Sequence, residues 1–136
     1  MEIRALSYVG IEATDVDAWA SFATEFLGMP SQRDGDRLRL RMDERVYRFD
    51  IRAGSTDRLA WLGWEVGSAA DLASLEQRLG SVGIETTHGT ADDARDRGVV
   101  DLIRFSDPAG KSDLSSGNAV ATNGRLHTHV LAAFGL

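Results

Sequence analysis

Histidines are the side chains of this sequence best suited to holding a metal, because the chain has three of them and no cysteine. His127 and His129 alternate, so a strand would place both imidazoles on one face, and imidazole pairs of this kind bind metals. His88 stands by itself in a polar segment and is interpreted as a solvated loop residue. The sequence therefore predicts His129 and His127 as candidate metal ligands.

Carboxylates offer a second possible chemistry, since paired acids can act as general acid and base. Glu12 and Glu65 occupy matching places in two similar stretches, 8–28 and 61–80. No other polar side chain is expected to converge on them, which favours a structural role at a strand-to-helix turn. The G-x-S-x-G, P-loop and Rossmann fingerprints are absent, so the sequence gives no support to those reaction classes.

The two similar stretches are the elements that must position these residues. Tyr8 aligns with Trp61 and Gly10 with Gly63, and apolar and small residues match in register along both stretches. Each reads as a strand that turns into an amphipathic helix. Two copies are too few for a solenoid. The pattern instead predicts an α+β domain of two βαβββ modules that form a curved mixed sheet with helices outside.

The predicted first module covers about residues 1–56. Its helix begins at Thr14 or Asp15, ends at Gly28 and carries the apolar residues Trp19, Phe22 and Phe26 at helical spacing. We expect this aromatic stripe to pack against the sheet. The predicted strands are 3–11, 29–33, 37–41 and 46–51, with a hairpin turn at Asp34-Gly35.

The predicted second module covers about residues 57–110. It contains strands at 59–66, 84–87 and 99–105, a helix capped by Ser68, and a short charged helix at 91–97. Residues 111–124 are rich in Ser, Asn, Gly and Ala and are predicted to be a loop. Residues 125–136 form a tail that is apolar enough for a further strand. The last strand of the second module is thus the one that the sequence places least clearly.

Composition limits the class of protein. A formal net charge of −6 and a pI near 5.0 argue against a nucleic-acid surface. No apolar run reaches the roughly 20 residues that span a bilayer, and the first residues do not resemble a secretory signal. These features, with the absence of cysteine, predict a cytoplasmic protein without nucleic-acid or membrane partners.

The paired modules resemble the vicinal oxygen chelate (glyoxalase/bleomycin-resistance/dioxygenase) superfamily. The segments RLRLRMDERVYRFDI, GWEV and FSDPAG are similar to the N-terminal domain of two-domain extradiol catechol dioxygenases of the 2,3-dihydroxybiphenyl 1,2-dioxygenase type. The resemblance covers about residues 2–110. It implies Fe(II) as the family's cofactor, held by two histidines and a glutamate of the second, C-terminal domain, whereas the N-terminal domain carries no metal.

The resemblance also bears on individual residues. Metal-bearing modules of the superfamily supply a ligand from the first strand, where this chain has Tyr8 and Trp61, so neither module resembles a ligand donor there. The glutamate-bearing strand that follows the family's DPAG turn is replaced by KSDLSSGN. The segment His129-Val130-Leu131-Ala132 resembles the strand that opens the catalytic domain and carries its first iron ligand.

Three functional hypotheses follow. The first is a non-catalytic, N-terminal-type domain of an extradiol ring-cleavage dioxygenase, truncated before the catalytic domain. The second is a binding module for a small aromatic ligand, with Tyr8, Tyr47, Trp61 and Trp64 lining its cleft. The third is a one-domain metalloenzyme that uses His127 and His129 and completes its site across a homodimer. We expect a homodimer in each case, because a lone domain of this type would expose the surface that meets its catalytic partner.

Overall fold

A computed structural model describes residues 3–106 and the strand 118–123, which together form one eight-stranded sheet with three α-helices. The strands are β1 (Ile3–Ala13), β2 (Ser31–Asp34), β3 (Arg37–Leu40), β4 (Phe49–Ala53), β5 (Arg58–Val66), β6 (Thr86–His88), β7 (Asp101–Ser106) and β8 (Asn118–Asn123). The helices are α1 (Val16–Ser21), which continues into a π-helical turn (Phe22–Phe26), α2 (Ala69–Ser81) and α3 (Ala91–Arg97). None of these helices is long and apolar enough to cross a membrane.

The strand order, β2-β3-β4-β1-β5-β8-β7-β6, repeats the same arrangement on either side of the β1–β5 pair. Module one (β1–β4 with α1) pairs β1 with β4 in parallel, and module two (β5–β8 with α2 and α3) pairs β5 with β8 in parallel. The remaining neighbours are antiparallel, including β1 and β5, which join the modules. The predicted α+β fold with a mixed sheet is confirmed.

The helix of module one differs from its prediction. The Asp15 side chain caps it by accepting from the Ala18 amide at 2.9 Å, as expected, but the chain then widens into the π-helical turn. Side chains from Phe22 onward therefore no longer follow α-helical spacing, and the fully buried residue of the π-helical turn is Ala23. Phe22 and Phe26 are 48% and 77% exposed and stack on each other outside the core, so their predicted packing against the sheet is wrong.

The helix of module two follows its prediction. Ser68 caps α2 by accepting from the Asp71 amide, and Leu72 and Leu75 are buried against Val66 and Ile103. α1 and α2 cover the same face of the sheet, which we call the outer face. The opposite face, which carries Tyr8 and Trp61, is the inner face.

α3 packs on the inner face, a position that the sequence did not indicate. Thr90 and Asp93 form a capping box at its start, and Gly98 ends it with a φ of 66°, a conformation that glycine adopts at little cost. Ala94 is the buried residue of α3 and packs in a cluster with Tyr8 and Leu102. The helix therefore occupies space that an open cleft would need.

The end of module two also differs from its prediction. Residues 118–123, predicted as part of the loop 111–124, form strand β8 between β5 and β7. Backbone pairing on both sides satisfies the strand irrespective of its small and polar side chains, which is why composition is a poor guide here. The other residues of that predicted loop, 111–117 and 124, and the predicted tail 125–136 lie outside the described residues.

Candidate functional site

The centre of the inner face is built by a reciprocal exchange between the modules. Tyr8 pairs with Gly63 and Gly10 pairs with Trp61 across the β1–β5 ladder. A Cβ at Gly63 would lie 2.5 Å from the Tyr8 ring, and a Cβ at Gly10 would lie 2.0 Å from the Trp61 ring. Each aromatic ring thus lies on the other module's glycine, which leaves room for the ring only because it has no side chain.

Three of the four predicted cleft-lining residues meet here. Tyr8, Tyr47 and Trp61 belong to one cluster, and the two tyrosine rings lie 5.5 Å apart. Tyr47 lies two residues before the start of β4 and, like Tyr8, is only 2% exposed. Trp64 lies three residues after Trp61 on a regularly paired part of β5, so its side chain points to the opposite face and does not join the cluster.

Arginine side chains surround these rings. The Arg39 guanidinium lies 5.2 Å from the Tyr47 ring centre, and that of Arg97 lies 5.6 Å from Tyr8 and 5.3 Å from Trp61. Arg52 lies 5.1 Å from Trp61. The rings therefore contact cations within the distance at which cation–π attraction is significant. The alternating Arg-Leu-Arg-Leu pattern of β3 was the available signal, since it puts Arg37 and Arg39 on one face.

A network of arginines and aspartates connects β3, β4 and α3. Arg37 donates to both carboxylate oxygens of Asp50 at 2.8 Å each and to Asp96 at 2.6 Å, and Arg39 also donates to Asp96. Burial of Asp50 opposes its ionisation, but hydrogen bonds from Arg37 and Arg52 outweigh this and hold its pKa below the usual range. Hydrogen bonding to Arg37 likewise lowers the pKa of Asp96. Asp50 and Asp96 are thus ionised acceptors, unsuited to a role as general acid at neutral pH.

The start of α3 is fixed separately. The Asp93 carboxylate accepts from the Thr90 amide at 2.8 Å and pairs with Arg104 of β7. Hydrogen bonds from the Thr90 amide and hydroxyl, and then from Arg104, lower the pKa of Asp93 to about 2. Since Asp96 is bonded to β3 and Asp93 to β7, α3 is held across the inner face at both ends.

The equivalent carboxylates Glu12 and Glu65 do not form a catalytic pair. Glu12 lies near the end of β1 and accepts a hydrogen bond from Arg58 at 2.9 Å. That hydrogen bond lowers the pKa of Glu12. Glu65 is 1% exposed and forms an ion pair with Arg45, which precedes β4. Both residues make structural ion pairs, in agreement with the role expected from their equivalence.

The iron site implied by the family resemblance does not fit the described residues. Within 3–106, no group of three or more His, Cys, Asp or Glu side chains could hold a metal ion. The inner-face positions of interest carry a phenol and an indole, and the indole nitrogen is not a metal ligand. His88 lies exposed on β6, with its Nε2 3.0 Å from Glu76. His127 and His129 lie outside the described residues.

Two cavities bear on ligand binding. One, of about 20 Å³, lies beside Tyr8 and Tyr47, far below the few hundred Å³ of a pocket for a drug-sized ligand. A larger cleft of about 570 Å³ lies at the β6–β7 edge, and its described lining includes Thr87 of β6 and Arg104 of β7. None of the described residues that line this cleft was predicted from the sequence as a site residue, and we assign the cleft no role.

Comparison with known proteins shows which family this chain is similar to. Residues 6–54 match the family model described as dihydroxybiphenyl dioxygenase BphC D1. The chain is 42% identical over 114 residues to an iron-dependent extradiol dioxygenase of Rhodococcus jostii (strain RHA1), covering 82% of this chain and 38% of that protein. It is 44% identical over 111 residues to a biphenyl-2,3-diol 1,2-dioxygenase of Paraburkholderia xenovorans (strain LB400), covering 81% and 37%.

Solved structures agree with this. A crystal structure of catechol 2,3-dioxygenase superposes with a TM-score of 0.81 at 31% identity, covering 91% of this chain and 42% of that one. The chain thus spans about two fifths of the length of the relatives it matches. The topology, the sequence similarity and the superposition agree: the chain corresponds to the N-terminal domain of extradiol dioxygenases of the 2,3-dihydroxybiphenyl type and has the vicinal oxygen chelate fold.

Proposed function

We propose that this chain is a non-catalytic domain of an extradiol ring-cleavage dioxygenase and serves as the scaffold beside a catalytic domain. The observation that carries the proposal is the reciprocal packing of Tyr8 on Gly63 and of Trp61 on Gly10. It fills the middle of the inner face with side chains of the two modules themselves. Ring cleavage of a catechol-type substrate, with Fe(II) and O₂, would then be the task of residues outside the described part.

The position of α3 supports the same proposal. Its bonds from Asp96 to Arg37 and Arg39, and from Asp93 to Arg104, hold it over the inner face. A substrate could approach the centre of the sheet only if these charged contacts were broken. We therefore regard the inner face as a packed interior.

An aromatic-ligand module is less well supported. The cavity beside Tyr8 and Tyr47 measures about 20 Å³, whereas a pocket for such a ligand needs several hundred Å³. Trp64, one of its expected lining residues, points to the other face. The proposal retains a cytoplasmic location and a homodimer, and light scattering of the purified chain tests the latter.

An anaerobic reconstitution assay tests the scaffold role. The purified chain is loaded with Fe(II), desalted, analysed for iron and mixed with 2,3-dihydroxybiphenyl in air, beside the Paraburkholderia xenovorans relative treated identically. We expect the yellow ring-fission product from the relative alone. Product formation by this chain, at a rate that follows its iron content, would contradict the proposal.

Two histidine variants sharpen that assay. His129→Ala changes the predicted ligand, and His88→Ala is the matched control because His88 lies exposed on β6. We expect both variants to retain as little iron as the unmodified chain. Stoichiometric iron that is lost in His129→Ala and kept in His88→Ala would favour the one-domain metalloenzyme instead.

A further inference from the structure

The small cavity on the inner face has a chemically uniform lining. Its polar side chains are those of Ser7, Tyr8, Arg45, Tyr47 and Arg97, and none of the described residues that line it is a carboxylate. Val46, Gly98 and Val99 complete the wall. At about 20 Å³ the cavity accommodates a single water-sized particle, since about 10–15 Å³ of such volume suffices for one water. Its lining thus presents hydrogen-bond donors and positive charge to an occupant the size of one atom or one water.

Several of the polar atoms around this cavity have no partner. The Tyr47 hydroxyl and Nη1 of Arg97 are buried without a hydrogen bond to a described residue, and the Tyr8 hydroxyl is buried beside the Arg97 guanidinium, its one nearby donor among the described side chains that affect its pKa by hydrogen bonding. Both tyrosines are 2% exposed, so water outside the protein does not reach these hydroxyls. A buried polar group without a partner costs about 1–3 kcal/mol, and such groups in native proteins ordinarily have a bound water or ion beside them.

Charge distinguishes which occupant suits the cavity. Arg45 is paired with Glu65. Arg97 contacts the Tyr8 and Trp61 rings, and no carboxylate among residues 3–106 lies within ion-pair distance of it. Burial raises the pKa of both phenols, so each hydroxyl keeps its proton at neutral pH and can donate. The lining therefore carries one guanidinium that forms no ion pair with residues 3–106 and two phenolic donors, while the nearby Asp50 carboxylate helps to raise the pKa of both phenols.

We propose that this cavity binds a single small monovalent anion of halide size, held by Arg97 and the hydroxyls of Tyr8 and Tyr47. A halide accepts several hydrogen bonds at once and neutralises Arg97, whereas a water molecule would leave that charge uncompensated. The anion would join α3 to β1 and to the segment before β4, so its role is structural. Such an anion would stabilise the domain whether or not the chain is catalytic.

Crystals of the chain grown in sodium bromide give the direct test, because bromide scatters anomalously. We expect an anomalous peak in the cavity within hydrogen-bonding distance of the two phenolic oxygens. Density at that place without anomalous signal would identify a water molecule and overturn the proposal. An empty cavity, or bromide bound only at the protein surface, would overturn it as well.

Thermal unfolding in solution gives the second test. At constant ionic strength, replacing gluconate, which is too large for the cavity, by chloride is expected to raise Tm by about 3 °C or more at saturation. Arg97→Gln should abolish this difference, and Arg95→Gln, on the exposed side of the same helix and paired with Asp92, should keep it. Tyr47→Phe, which removes one donor and keeps the ring, should reduce it.

The set of variants tests the anion site even if one of them does not fold. If Arg97→Gln does not fold, Tyr47→Phe and the bromide crystals still test the site. An equal chloride effect in wild type, Tyr47→Phe and Arg97→Gln would be a general salt effect and would refute the site. The absence of any chloride effect in the wild type would do the same.

Discussion

Glu12 in module one and Glu65 in module two occupy equivalent positions and have opposite surroundings. Glu12 is bonded to Arg58 at the edge of the strand pair, while Glu65 is fully buried and pairs with Arg45 across the modules. The repeat thus preserves the backbone and the residue type, and the neighbours decide what the residue does. The same holds for Tyr8 and Trp61, which keep their place and exchange partners between modules.

Among the differences between the modules, the ion pairs of Glu12 and Glu65 are expected to differ most in their contribution to the free energy of unfolding. Arg45→Met removes the ion-pair partner of the buried Glu65 carboxylate and should lower the free energy of unfolding by about 3 kcal/mol or more. Arg58→Met removes the partner of Glu12 near solvent and should leave the urea midpoint unchanged within error. Equal losses for both variants would show that the two carboxylates are energetically equivalent.

A double variant separates charge from packing in that result. Arg45→Met combined with Glu65→Leu removes both charges and should recover most of the lost stability, because a buried ion pair is often replaceable by apolar residues. Failure to recover would mean that the neighbouring packing, including the Arg45 bond to Ser7 Oγ, accounts for the loss.

The helices of the two modules should differ next. Leu75→Ala in α2 empties a buried site and should cost about 2–4 kcal/mol. Phe26→Ala in the π-helical turn removes a larger but 77% exposed side chain and should cost about 0.5 kcal/mol or less. Urea titration of both variants measures this contrast, and a loss for Phe26→Ala as large as that for Leu75→Ala would contradict the π-helical register.

Substituting glycines by alanine should give smaller stability changes, whose sign depends on whether an aromatic ring lies on the glycine. Gly63→Ala places a Cβ against the Tyr8 ring and should destabilise by about 1–3 kcal/mol. Gly80→Ala in α2 meets no atom within 4 Å and should stabilise by roughly 0.5 kcal/mol, because alanine favours helix. Opposite signs in thermal melts support the reciprocal packing, and a neutral Gly63→Ala would argue against it.

The smallest effect is expected at acid pH. The pKa of Asp50 is lowered in the folded state, so its contribution to stability is present above the unfolded pKa of about 4 and is lost as pH falls through the folded value. The unfolding free energy should therefore fall more between pH 7 and pH 3 for the wild type than for Asp50→Asn. Parallel pH profiles for the two proteins would contradict the lowered pKa.

The sequence was enough to predict the features that follow from residue periodicity and from the internal repeat. Gly10, Gly63 and the alternating residues of β5 fix the strand pair, and Ser68 fixes the start of α2, so the modules followed directly. The sequence did not predict the position of α3, because the bonds from Asp96 to Arg37 and Arg39 span more than fifty residues of chain. The π-helical turn and β8 were missed for a related reason, since neighbours across the fold determine them.

The candidate site was predicted in part for the same reasons. Tyr8 and Trp61 were identified by their equivalence, and Tyr47 by its place in an apolar strand pattern. Trp64 was grouped with them by residue type, although strand alternation puts it on the opposite face from Trp61. The contacts of Arg97 could not be foreseen, because they depend on how α3 lies on the sheet.

Ring-current shifts of the glycine Hα protons test the reciprocal packing most directly. The Hα resonances of Gly63 and Gly10 should both lie well upfield, because each glycine lies against an aromatic ring. Tyr8→Leu should return the Gly63 resonance toward the ordinary range and leave that of Gly10 shifted by Trp61. Ordinary shifts for both glycines in the wild type would mean that the rings point away and leave the inner face open, which would contradict a filled interior.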